Sequence, residues 1–177
     1  QPQITVTADD TLCYDGSTTL TITNPNTQRG TWRYDLDVTY PAGVTGTLAD
    51  AVNQPAGVIT DNLTNTTLNV QTITYRFTPH IDPGDGGAEC GSGIDTILTV
   101  YINPRPRIVV TADDTLCYDG TTTITITNPN TQRGTWRYDL DVTYPAGVTG
   151  TLADAVNQPA GVITDNLTNT TLNVQAV

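Results

Sequence analysis

Neither lysine nor methionine occurs among the 177 residues, and phenylalanine and histidine occur once each, as Phe77 and His80. Positive charge therefore rests on seven arginines. They face 18 acidic residues, of which only Glu89 is not aspartate, for a net charge of −11. So acidic a surface repels phosphate backbones, which excludes nucleic acid as a partner. No apolar run approaches the roughly 18–20 residues that a spanning helix needs, so no membrane span is expected in this segment. No basic-then-apolar leader opens the chain, and Gln1 begins in mid-pattern; a mature or excised segment is expected. A single histidine with no nucleophile motif leaves a Ser-His-Asp system without its parts. No glycine-rich phosphate loop is present either. Asp35 and Asp37 project from the polar face of one strand, where acids are ordinarily solvated. These absences predict a protein that is not an enzyme.

What the chain has instead is threonine, at 37 positions, and a repeat. β-Branched threonine favours a pleated backbone over a helix. Thr7-Ala8-Asp9-Asp10-Thr11-Leu12-Cys13-Tyr14-Asp15-Gly16 returns as Thr111 through Gly120. Aligning 4–71 with 108–175 pairs 68 positions, and only Thr5/Val109, Ser17/Thr121 and Leu20/Ile124 differ. All three exchanges suit a strand. A period near 104 residues is too long for a solenoid turn and right for an independent domain. Residues 1–104 form the first repeat, 105–107 a proline-rich linker, and 108–177 a second repeat without a match to Tyr75–Pro104. A permuted frame, with 71–174 as the complete unit, fits the period equally well.

Within the repeat, Trp32, Tyr34, Leu36, Val38 and Tyr40 alternate with Thr31, Arg33, Asp35, Asp37 and Thr39. A period of two marks a half-buried antiparallel strand. Ile73, Tyr75 and Phe77 alternate with polar neighbours in the same way. Further strands are expected at 4–8, 17–24, 58–63 and 95–102, and one helical turn is open to Leu48–Gln54. Proline, glycine and asparagine clusters separate these segments. About seven short strands in 100 residues, with one tryptophan on a central strand, predict an all-β fold of tandem immunoglobulin-like antiparallel β-sandwich modules. Trp32, Tyr34, Leu36, Val38, Ile73, Tyr75, Phe77 and the second-repeat Trp136 are the expected core, rather than a ligand platform.

Leu12-Cys13-Tyr14-Asp15-Gly16 before a Thr-rich strand, Thr72-Ile73-Thr74-Tyr75-Arg76-Phe77-Thr78-Pro79, Glu89-Cys90-Gly91 and Ile97-Leu98-Thr99-Val100-Tyr101-Ile102-Asn103-Pro104 follow one another in an order with a family likeness. It resembles the PKD-like and Ig-like repeats of giant cell-surface proteins of Bacteroidetes, of the gliding-motility adhesin kind (SprB-like). The resemblance implies secretion to the cell surface, long repetitive chains and a part in adhesion. The partners it implies are neighbouring repeats of the same chain, with surface polysaccharide or another cell-surface protein beyond them. In that group Asp10-Thr11-Leu12, Asp95-Thr96-Ile97 and Asp114-Thr115-Leu116 resemble a short O-glycosylation signal, which makes Thr11, Thr96 and Thr115 candidate modification sites.

Two cysteines per repeat on an exported module point to disulfides, and the candidates are Cys13, Cys90 and Cys117. No paired spacing or nearby histidine supports zinc. In immunoglobulin topology the first and last turns lie at opposite ends of strands about 30 Å long. A bridge needs Cα atoms within about 7 Å. Stacking head to tail would bring the first turn of one repeat to the last turn of the next, so an inter-module bridge stands beside the intra-module one, with free thiols as the third alternative. Asp9 and Asp10 near the module's entry, with Asp82, Asp85 and Glu89 in its last turn, are carboxylates that could converge at a module junction as a calcium site; a solvated acidic rim is the plainer reading. No other cofactor is expected.

Overall fold

Alternation decides which side chains meet. In the computed structural model, which describes residues 1–84, 86, 88, 90, 91, 93–113 and 115–177, the chain divides into two compact units. One comprises Gln1–Arg105 with Thr131–Arg133, the other Pro106–Asn130 with Gly134–Val177. The first unit runs β1 (Thr5–Thr7), β2 (Thr11–Leu12), β3 (Asp15–Thr23), β4 (Thr31–Thr39), β5 (Val44–Thr45), β6 (Ala51–Gln54), β7 (Gly57–Asn65), β8 (Gln71–Asp82) and β9 (Thr96–Ile102). One sheet has the order β1-β3-β7-β5 and the other β2-β9-β8-β4-β6. All pairs are antiparallel except β2 with β9, which runs parallel through Thr11↔Tyr101 and Leu12↔Ile102. A β1-β3-β7 sheet facing a β9-β8-β4 sheet is the immunoglobulin strand order.

The core lies between these sheets. Leu20, Ile22 and Leu63 come from one; Trp32, Tyr34, Leu36, Ile73, Tyr75, Phe77, Val100 and Ile102 come from the other, and all are buried. The Tyr34 ring tilts between Trp32, 5.9 Å away, and Phe77, 5.7 Å away. Such a large apolar side chain contributes about 1.5–3 kcal/mol when fully buried. Val38 packs against this cluster but is only half-buried.

Two expectations about local structure need correcting. Leu48–Gln54 forms no helical turn, because Ala51–Gln54 is the edge strand β6 against β4. Asn53 adopts a left-handed φ of 59°, which asparagine tolerates, and its N–H donates to Asp35 Oδ1 at 2.8 Å. A register shift between Tyr34 and Leu36 accompanies it. Second, the strand expected from the alternation of Ile73, Tyr75 and Phe77 is longer than that pattern: β8 continues past Pro79 to Asp82, although proline ordinarily interrupts a strand. The Pro79 carbonyl accepts from the Gly93 N–H at 2.7 Å, so that side of Pro79 faces away from β4, beyond the last β9 pair. The missing N–H leaves no gap in the β4–β8 ladder.

The second unit contains β10 (Val109–Thr111), β11 (Asp119–Thr127), β12 (Tyr138–Leu140), β13 (Val148–Thr149), β14 (Ala155–Gln158) and β15 (Gly161–Asn169). Its sheet, β10-β11-β15-β13, repeats the first unit's register: Asp119↔Thr168 matches Asp15↔Thr64, and Val109↔Thr127 matches Thr5↔Thr23. Residues 106–177 hold no counterpart of β8 and β9. The identical sequence Thr135–Thr143 is consequently a strand only over Tyr138–Leu140, and Trp136, expected in a core, is half-buried.

Candidate functional site

The most elaborate polar arrangement was not among the sequence-derived candidates. Asp61 lies on β7 in phase with Ile59 and Leu63, so its side chain points into the sandwich, where it is wholly buried. Its Oδ2 accepts from the Tyr40 and Tyr75 hydroxyls, each at 2.7 Å. Its Oδ1 accepts from the Thr47 N–H at 2.7 Å, the Leu48 N–H at 3.2 Å and the Thr47 hydroxyl at 3.3 Å. Tyr40 reaches it by lying flat across Gly46, where any Cβ would collide with the Tyr40 ring. The Tyr40 hydroxyl also meets the Leu48 carbonyl at 3.0 Å. Burial first, and then the bond to Asp61, push the Tyr40 and Tyr75 hydroxyls well above the usual tyrosine range. Both phenols therefore stay protonated as donors. One carboxylate thus ties β7, the 40–48 connection and β8 together across both sheets. Five donors occupy its oxygens, so it is a clamp and not a general base.

The second unit copies most of this clamp. Asp165 Oδ2 accepts from Tyr144 at 2.7 Å, and Oδ1 from the Thr151 and Leu152 N–H groups at 2.6 and 3.2 Å. Burial pushes the Asp165 carboxyl up, but the bonds from Tyr144, Thr151 and Leu152 outweigh it and hold it below the usual carboxylate value. The same surroundings raise the Tyr144 hydroxyl.

The predicted site residues are spread over both units rather than gathered. Cys13, Cys90 and Cys117 are exposed, and no disulfide joins them. Cys13 follows Leu12, whose carbonyl accepts from the Asn103 N–H where the chain leaves β9. Cys90 bridges to Ile81 near the far end of β8, by Gly93 and Ile94, the latter bonded to Pro2. Since Gln71 pairs with Ile102, ten residues of β8 separate the two cysteines. At ~3.3 Å per residue that is about 33 Å, far beyond bridging reach. The first unit therefore carries one thiol at each pole.

The carboxylates divide in the same way. The Asp10 carbonyl accepts from Tyr101, at the Cys13 pole, and its side chain takes the Thr11 hydroxyl at 3.1 Å. Asp82 pairs with Thr31 at the other pole. Asp85 and Glu89 lie outside the described residues, and among the described residues no three His, Cys, Asp or Glu side chains converge as metal ligands. Asp9 is exposed. Of the candidate modification sites, Thr11 and Thr115 are exposed and Thr96 is half-buried; Asp114 of the third motif lies outside the described residues. Asp95, which precedes Thr96, receives Arg76 Nη2 and Nε at 2.5 and 2.8 Å and the Thr78 hydroxyl at 2.9 Å. These bonds, Arg76 foremost, hold its carboxyl below the usual range. The pair is exposed and contributes little to stability. His80 is buried, with Nε2 3.4 Å from Asp35 Oδ1. Among the described residues no helix is long and apolar enough to cross a membrane.

No protein-family profile and no curated sequence matches this chain. Among solved structures it is similar to the D0-D1 domain of intimin, at 13% identity and a TM-score of 0.31, covering 96% of this chain and 85% of that one. It is also similar to the class 5 fimbriae chaperone CfaA, at 9% identity and a TM-score of 0.34, covering 98% and 88%.

Proposed function

We propose that this chain is a stretch of a linear array of immunoglobulin-like modules displayed outside a cell, each module a spacer in a long adhesin. The observation that carries the reading is the copied repeat: 68 aligned positions with three differences, repeating one sheet with one register. Near-identity of one sheet, its turns and most of the clamp reproduces the same shape at a fixed interval, which suits reach and stiffness. A recognition site would need only one competent copy. Each complete module adds about 40 Å, a nine-residue strand plus a short linker. Pro104 and Pro106 stiffen that linker.

In this reading the surface role, the part in gliding or adhesion and the bridging of successive modules by Cys13 and Cys90 belong together. All serve a tether that resists shear. A polysaccharide-binding module would call for aromatics exposed on one strand face, whereas Trp32 and Tyr34 face inward and Tyr40 is committed to the clamp. Pulling single chains of several repeats by their ends tests the reading. Equal unfolding steps, one per module, are expected; a single cooperative rupture or featureless extension would contradict it.

A further inference from the structure

Thr-Gln-Arg occurs twice in the chain, at 27–29 and one period later at 131–133. Both copies belong to the first unit, at its two different poles. Thr27–Arg29 lies between β3 and β4 at the Cys90 pole, where Asn26 bonds Gln3 and Gly30 packs against Asp82. Thr131–Arg133 lies at the Cys13 pole. There Thr131 forms a parallel bridge with Asn69: its N–H donates to the Leu68 carbonyl at 3.1 Å, and its carbonyl accepts from the Val70 N–H at 2.6 Å. Its hydroxyl donates to Asn69 Oδ1. The Asn103 side chain holds the backbone of Arg133 at two points, Oδ1 accepting from the N–H at 2.8 Å and Nδ2 donating to the carbonyl at 3.1 Å. The Arg133 guanidinium lies 4.0 Å from the centre of the Tyr101 ring, with Nη1 3.3 Å from Asp10 Oδ2.

We infer that Asp10, Leu68–Val70, Tyr101 and Asn103 form a peptide-recognition site for a Thr-Gln-Arg segment, filled by residues 131–133. The bridge and the Asn103 amide grip main chain, which gives affinity without choosing a sequence. The side chains choose. Asn69 Oδ1 asks for a hydroxyl donor, and the Tyr101 ring with Asp10 asks for a planar cation that can stack and pair at once, as a guanidinium does and an ammonium does not. The role of this site rests on the linear array proposed above. In the first unit the site and the tripeptide 27–29 stand at opposite ends of nine-residue strands, about 30 Å apart, so a module cannot fill its site with its own copy. The segment has to come from another repeat, and a contact of this kind is head to tail. It latches repeats in register without any covalent bond.

Amide hydrogen exchange, followed by NMR on the full 177-residue chain, tests the site. Three amides report on it: Val70 and Thr131, which make the bridge, and Arg133, which donates to Asn103. All three should be protected in the unaltered chain. N103A removes both bonds to the Arg133 backbone, and R133A removes the ring stack and the ion pair. Each should speed exchange at the three amides about tenfold, while the amides of Asp15–Thr23 keep their protection and show the fold intact. R133K keeps the charge and should still speed exchange several-fold. R29A, the same change in the other copy of the tripeptide, should leave all three amides as they were. Free-chain exchange at these amides in the unaltered protein overturns the proposal, as does unaltered exchange in N103A, R133A or R133K. Protection that falls on dilution and disappears in R29A would put Thr27–Arg29 of a second copy in the site and overturn it too. The 177-residue chain holds site and segment whatever array it comes from, so this result and the pulling result can fail separately.

Discussion

Asp61 concentrates more structural consequence than any other side chain of the first unit. Replacing it with alanine strands two buried phenols and two buried amides, and each unmet group costs about 1–3 kcal/mol. Asp61→Ala should therefore destabilise the first unit by at least about 3 kcal/mol in urea denaturation. Tyr75→Phe, which removes one donor and leaves four, should cost about 1–2 kcal/mol. The clamp also sets opposite pH limits. The raised Tyr40 and Tyr75 values lie above the unfolded value of about 10. Their stabilisation is complete below pH 10 and is lost as pH rises through the folded values. Asp165 is shifted the other way, below the unfolded value of about 3.9. Its contribution is complete above that pH and disappears as pH falls through the depressed folded value. Thermal melts followed by Trp136 fluorescence in a Trp32→Phe background should hold level from pH 7 to 5 and drop by pH 2.5. A flat profile down to pH 2.5 would show that the Asp165 bonds contribute nothing.

At the scale of elements, one sequence adopts two extents. Thr31–Thr39 is a nine-residue strand because β8 pairs along its length; its copy 135–143 keeps only Tyr138–Leu140, held by β14. Propensity is the same in both, so pairing decides. Leu36→Ala should accordingly cost about 3 kcal/mol, as buried leucines do, and Leu140→Ala about 1 kcal/mol or less, since Leu140 is half-buried. Chemical denaturation of the two variants gives the comparison. Period-two alternation made β4 and β8 legible in the sequence to within a few residues, since Trp32, Tyr34 and Leu36 on one and Ile73, Tyr75 and Phe77 on the other all turn inward. The edge strands β2, β5 and β6 were not legible. They span two to four residues, too few for a period, and exist only because a longer neighbour offers a ladder. The clamp left one signal that could have been read: an aspartate in the apolar phase of Gly57–Asn65, flanked by Ile59 and Leu63. Its partners could not be, because Tyr40 and Tyr75 meet it through tertiary folding alone.

For the whole molecule, the decisive geometry is polar in the sense of having two ends. Cys13 sits where the chain leaves a module, beside Leu12 and Asn103, and Cys90 sits where the chain arrives, beside Gly93 and Ile94. The strand length between them forbids a bridge inside one sandwich, so oxidation can join only different modules or different molecules. In a tandem array the exit pole of each module is covalently tied to the arrival pole of the next, and a linker of about three residues keeps those poles at high effective concentration. Under the function proposed above, Cys13 of one repeat would pair with Cys90 of the following one, and the bridge would limit extension under load. A recombinant chain of three consecutive repeats can be made with Cys13 retained in only one repeat and Cys90 in only one other. After air oxidation, non-reducing peptide mapping should find the bridge when Cys90 lies in the following repeat. It should find none when both cysteines are kept in the same repeat. A bridge formed within a single repeat would contradict the sheet register itself, since it would require Gln71–Ile81 to be something other than an extended strand.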